Sequence, residues 1–194
     1  RDRMGAMPPF FVEKDLGILK FKDDLSLSDE ELATIQAWVD NGAPRGNPSD
    51  MPPPREFAQT DEWTIGEPEL VLRSREMIVP AIGPDRWGDI GLVPTGLTED
   101  RYVKAVEVRE INNIASDTVS NTVGGRYVFH HMTYSAGVLS EDGSEIISDT
   151  RTRFPIHEVG RNADIFPEKF GTLLQANSAL HLGASHIHPN GIQE

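Results

Sequence analysis

From Trp63 onward the chain consists of short runs of β-branched and aromatic residues separated by turn formers, and this pattern restricts the fold most. The runs are "ELVLRS", "EMIVPAI", "IGLVPTG", "RYVKAVEVREI", "GRYVFHHMTYSA", "EIISDTRTRF", "GTLLQA" and "ALHLGASHIH". Val, Ile, Thr and aromatic side chains fit a pleated, half-buried surface, and the Gly, Pro, Asn and Asp between them turn the chain. In "RYVKAVEVR", Val103, Ala105, Glu107 and Arg109 alternate against Tyr102, Lys104, Val106 and Val108, an imperfect half-buried pattern. Many short strands with little helix predict a mainly β fold, an antiparallel β-sandwich of jelly-roll-like form. No internal repeat interrupts the pattern.

The chain before Trp63 reads differently. One helix is predicted near Ser28 to Asp40, in "SDEELATIQAWVDNG". Ser28 is the N-cap and Glu31 completes a capping box. Asp29, Glu30 and Glu31 place negative charge on the first turn, where the helix dipole favours it. Leu32, Ile35 and Val39 fall at helical spacing, with Trp38 beside them. Gly42 stops the helix in the C′ position. "APRGNPSDMPPPREF" follows as a proline-rich linker. The expected organisation is a helical segment plus linker over 1–54 and a β domain over 55–194. Outside the Leu32/Ile35/Val39 face the first segment has few apolar residues with which to build a core of its own.

Composition narrows the function. A net charge of -13 argues against nucleic acid or an anionic membrane surface as partner. No apolar run is long enough to span a bilayer. The absence of cysteine excludes disulfides, thiolate metal sites and covalent haem attachment within these residues. The chain opens on Arg1 rather than Met, so the expectation is a mature or truncated product, and the compartment stays open.

The chemistry concentrates in histidine. Five of the six histidines lie in two stretches, "GRYVFHHMTYSAG" and "LHLGASHIHPNG". Imidazoles gathered on two predicted strands point to an all-nitrogen metal site, and copper and zinc suit imidazole best. On a strand, His186 and His188 share a face, and Pro189-Asn190-Gly191 puts them at a strand end. The competing reading is a pair of exposed polar residues. His130 and His131 would point to opposite faces of a regular strand, so both reach one ion only if the strand bulges. Otherwise one binds and the other packs. His181 has the opposite parity to His186 and is expected to face away. His157 is expected in a loop, and both read as structural.

"FHHM" followed by a later histidine site resembles the copper type II ascorbate-dependent monooxygenase family. The resemblance implies one copper held by His130, His131 and a later histidine. His186 matches best because it opens a His-x-His before "PNG", and His188 is the competing choice. "LSDEELATIQAWVDNGAPRGNPSDMPPP", "WTIGEPELVL" and "VPTGLTEDRYVKAVEVR" are similar to bacterial proteins that join a c-type cytochrome module to this fold. By that resemblance 1–54 is the C-terminal remnant of a cytochrome c-like module. Met7, in "GAMPPF", matches the methionine that ligates haem c, given attachment cysteines upstream. Met51 also precedes prolines but follows the helix.

The resemblance implies the electron-supplying first copper domain of a periplasmic or otherwise extracytoplasmic monooxygenase-like oxidoreductase. The family's second copper domain, where oxygen is activated, is not in these residues, so whether the chain is an enzyme depends on that domain. Two rivals stand beside this reading. One is a non-catalytic accessory β-sandwich subunit in a larger electron-transfer complex, with protein partners. The other is a hydrolytic zinc site, an open three-histidine geometry with only Glu158 and Asp164 as generic bases.

Overall fold

The structure, a computed structural model, describes residues 16–18, 20–21, 24, 26–54, 62–115, 120 and 122–192. The chain divides into two compact units, Arg1–Glu56 and Phe57–Glu194.

In the first unit the helix α1 spans Asp29–Asp40. The Ser28 hydroxyl accepts the Glu31 N–H, and the Glu31 carboxylate accepts the Ser28 N–H at 2.7 Å. This is the reciprocal box that the sequence predicts. At the far end Gly42 takes φ +81°, the Ala43 N–H donates to the Trp38 carbonyl, and the Gly42 N–H donates to that of Val39. That pair of bonds is a Schellman stop. No residue of α1 is buried among the described residues, and Ile35, Trp38 and Val39 remain exposed.

The second unit is mainly β and antiparallel. Its strands are β1 (Arg86–Gly88), β2 (Gly91–Pro94), β3 (Arg101–Val103), β4 (Ala105–Glu107), β5 (Phe129–Val138), β6 (Thr152–Arg153), β7 (His157–Glu158), β8 (Ala163–Ile165), β9 (Thr172–Leu174) and β10 (Ser178–Ile187). The long strands β5 and β10 pair as the spine of a six-stranded sheet. Short strands share their outer edges. β1 and β2 both pair with β10, and β6 and β7 both pair with β5. Two ribbons, β3–β9 and β4–β8, complete the unit.

The main core gathers Met132, Tyr134 and Ala136 of β5 with Ile90, Phe154 and Leu174 of β9; Val103 of β3, Val106 of β4 and Leu180 and Leu182 of β10 pack against it. Tyr134 and Phe154 stack with ring centroids 5.4 Å apart. Met132, Tyr134 and Ala136 therefore face this core, which leaves Thr133 and Ser135, and His131 beyond them, on the other face.

Two expectations fail. "ELVLRS" and "EMIVPAI" form no strand, although Val79 is buried in a second, smaller core with Val128 and Ile187. Pro68, Pro80 and Pro84 punctuate this stretch and cannot donate to a ladder. His157 lies not in a loop but on the short strand β7, opposite Met132.

Candidate metal centre

In the ladder between β5 and β10, His131 lies directly opposite His186. One step on, Ile187 pairs with Phe129, so His130 is an extra residue on β5. A single extra residue on one strand is a β-bulge. It removes the alternation that would separate adjacent side chains. The rings of His130 and His131 come together with centroids 4.8 Å apart, and their Nδ1 atoms are 2.7 Å apart. The strand entry is fixed by the Glu110 carboxylate, which accepts the N–H groups of Phe129 at 2.8 Å and Val128 at 3.1 Å.

β10 brings the other half. The His186 ring centroid lies 4.8 Å from that of His131 and 5.1 Å from that of His130. His188, just past the strand end, lies 4.3 Å from His186 and 4.8 Å from His130 by ring centroids. Its N–H donates to the Val128 carbonyl at 2.8 Å, which holds the segment beside the bulge. One donor atom from each of His130, His131 and His186 falls within 4.8 Å of the others. Atoms that share an ion at about 2 Å stand up to roughly 4 Å apart, so small ring rotations close the set.

Two further residues join the centre from the edge. Asp85, just before β1, sets its Oδ2 3.2 Å from His186 Nε2 and its Oδ1 2.9 Å from His188 Nδ1. Asp85, His186 and His188 form a second group with metal-ligand spacing. Trp87, opposite His186 in the β1–β10 ladder, stacks on that ring at 4.0 Å and 12° and lies 5.0 Å from the His131 ring. Its indole is 60% exposed, so it covers the two imidazoles on the solvent side.

The electrostatics favour the neutral form of His130. Partial burial, with His188, His131 and His186 around it, holds the His130 imidazole below its ordinary value, against the opposing pull of Asp85. Neutral imidazole is the form that donates a lone pair to a metal.

The remaining sequence candidates lie elsewhere. His181 is outside the cluster, but the parity argument for it fails. An extra residue enters β10 between Leu182 and Ser185, so His181 and His186 stand opposite Ser135 and His131, on one face of the sheet. Distance along the strand separates them, about 13 Å for four ladder steps. His181 instead pairs with Asp89 at 2.6 Å and meets Arg151 at 3.1 Å. Burial works against ionisation of Asp89, but the His181 hydrogen bond and the Gly91 N–H outweigh it and hold its carboxyl below the ordinary value. His157 is buried against Phe129 at 5.8 Å. Asp164 is bound to Arg161 at 2.6 Å, and Glu158 pairs with His131 only through the ladder. Met7 lies outside the described residues. Met51 is exposed, at the end of a short 3-10 turn over Pro48–Asp50.

No protein-family model matches the chain, and no curated protein or solved structure matches it either.

The residues present fit a copper or zinc ion. Two imidazole nitrogens at 2.7 Å repel unless a proton or a cation lies between them. The Nδ1 of His186 is buried and has no hydrogen-bond partner among the described residues, at a cost of about 1–3 kcal/mol for such a group. A shared proton satisfies the His130–His131 pair, whereas a bound ion would also give His186 Nδ1 a partner.

Proposed function

We propose that residues 57–194 are a copper-binding domain and that His130, His131 and His186 hold the ion. The observation that carries this reading is the bulge at His130, which turns both adjacent imidazoles toward the His186 ring across the ladder. Three neutral imidazoles suit both cuprous and cupric copper. When bound, copper supplies one-electron redox chemistry. The chain's own part is to hold three ring nitrogens in place from two paired strands, so that the ligands move little between oxidation states. Trp87 stacks on the His186 ring, and His188 and Asp85, both partly exposed, border the centre.

Taken with the resemblance to copper monooxygenases, this makes the domain the electron-transferring part of an extracytoplasmic oxidoreductase. On this reading the domain would be a jelly-roll-like sandwich, and the 1–54 segment would belong with a haem c module. Oxygen activation would then fall to a second copper domain or a partner protein.

The test is metal analysis of the purified chain after copper loading and desalting, followed by reduction with ascorbate. One copper per chain that reduces and reoxidises reversibly is expected, with loss of most bound copper in His131→Ala. Binding of zinc alone, or equal copper in His131→Ala, would contradict the reading.

A further inference from the structure

The carboxylate of Asp85 touches both histidines of the His-x-His pair, and nothing in the sequence motif calls for it. Its two oxygens are divided between them, Oδ2 at 3.2 Å from His186 Nε2 and Oδ1 at 2.9 Å from His188 Nδ1. Each neutral ring has one N–H to donate. If Asp85 takes both, His186 carries its proton on Nε2 and His188 carries its proton on Nδ1. The lone pairs are then on His186 Nδ1 and His188 Nε2. His186 Nδ1 is the buried nitrogen without a hydrogen-bond partner among the described residues. The ring is fixed from a third side by Trp87, stacked at 4.0 Å.

We propose that Asp85 is the positioning residue of the metal centre. It fixes the tautomer of both rings and so leaves Nδ1 free on His186, the histidine that groups with His130 and His131, to be the third ligand. Metal-bound histidines commonly donate their second N–H to a carboxylate, and loss of that partner weakens metal binding about 10–100-fold. The other use of the same atoms is a second ion bound by Asp85, His186 and His188 directly. The geometry favours positioning. Both separations are ordinary hydrogen-bond lengths, and a single carboxylate satisfies both N–H groups without any ion.

The inference rests on the metal reading above for its affinity readout, but the tautomer can be read without metal. The experiment compares wild type, Asp85→Ala and Asp85→Asn. Imidazole nitrogen NMR of the metal-free proteins reports the proton position on His186, and copper titration reports affinity and stoichiometry. Expected is Nε2–H on His186 in wild type, a mixture of tautomers in Asp85→Ala, and partial retention in Asp85→Asn, whose amide oxygen still accepts. Copper affinity should fall 10–100-fold in Asp85→Ala, with the number of ions per chain unchanged. An unchanged tautomer and affinity would overturn the proposal. So would two ions per wild-type chain with one lost in Asp85→Ala, since Asp85 would then be a ligand. If no copper binds to wild type, the function proposed above fails while the tautomer result still decides the role of Asp85.

Discussion

His130 shows how one residue decides the chemistry of a site. Without it the ladder would run on in register past His131 and His186, and one face would carry two imidazoles rather than three. The adjacency of His130 and His131 made the bulge legible in the sequence, because two neighbouring side chains reach one point only through such a break. Asp85 was not legible. It lies 101 residues from His186, and only the pairing of β1 with β10 brings it near. Trp87 serves as a reporter. Stacked on the His186 ring, it should lose fluorescence when cupric ion binds. Titration should quench part of the emission of wild type, and Trp87→Phe should lack that component; equal fractional quenching of Trp38 and Trp63 in the variant would contradict the placement. His157 gives a pH prediction. Burial is the main cause that pushes its imidazole below the ordinary value, and His131 adds to it, against the opposing Arg161 backbone and Glu158. Unfolded, the ring titrates at about 6.5. Between that value and the lower folded one, the unfolded chain holds more protons, so stability falls as pH falls and the contribution is complete above about 6.5. The melting temperature of the metal-free chain should decline from about pH 7 to about pH 5. The decline should be shallower in His157→Phe, and not abolished, because His130 is depressed in the same direction.

At the scale of elements, the helix and the two long strands were readable and the short edges were not. Ser28, Glu31 and Gly42 specify the ends of α1 locally, so the structure and the sequence agree there. β5 carries enough β-branched and aromatic residues to be recognised alone, and β10 shows the alternation of Leu180 and Leu182 with His181 between them. β1, β6 and β7 are two or three residues long and have no periodicity to detect; they exist because a long strand offers its edge. The same dependence applies at "ELVLRS" and "EMIVPAI": β propensity makes no strand without a partner edge, and Pro80 interrupts the second run. The insertion in β10 between Leu182 and Ser185 was also invisible, and it reversed the parity expected of His181. One close approach on β5 is testable. A Cβ on Gly137 would lie 2.4 Å from Ile146 Cγ2 and 3.0 Å from Thr150 Oγ1. Gly137→Ala should therefore cost about 1–3 kcal/mol in denaturant unfolding, and a variant as stable as wild type would show that the strand gives way freely.

For the molecule as a whole, every residue assigned to the metal centre belongs to the unit Phe57–Glu194: Asp85, Trp87, His130, His131, His186 and His188. No helix among the described residues is long and apolar enough to cross a membrane. A chain shortened to residues 57–194 should bind copper as tightly as the full chain, and a loss of affinity on shortening would place part of the centre in the first unit. The central claim is that imidazole nitrogens of His130, His131 and His186 hold one ion. X-ray absorption at the copper edge of the loaded chain tests it most directly. About three imidazole scatterers at about 2.0 Å are expected, falling to about two in His130→Ala. A first shell made only of oxygen, or one unchanged in His130→Ala, would contradict it.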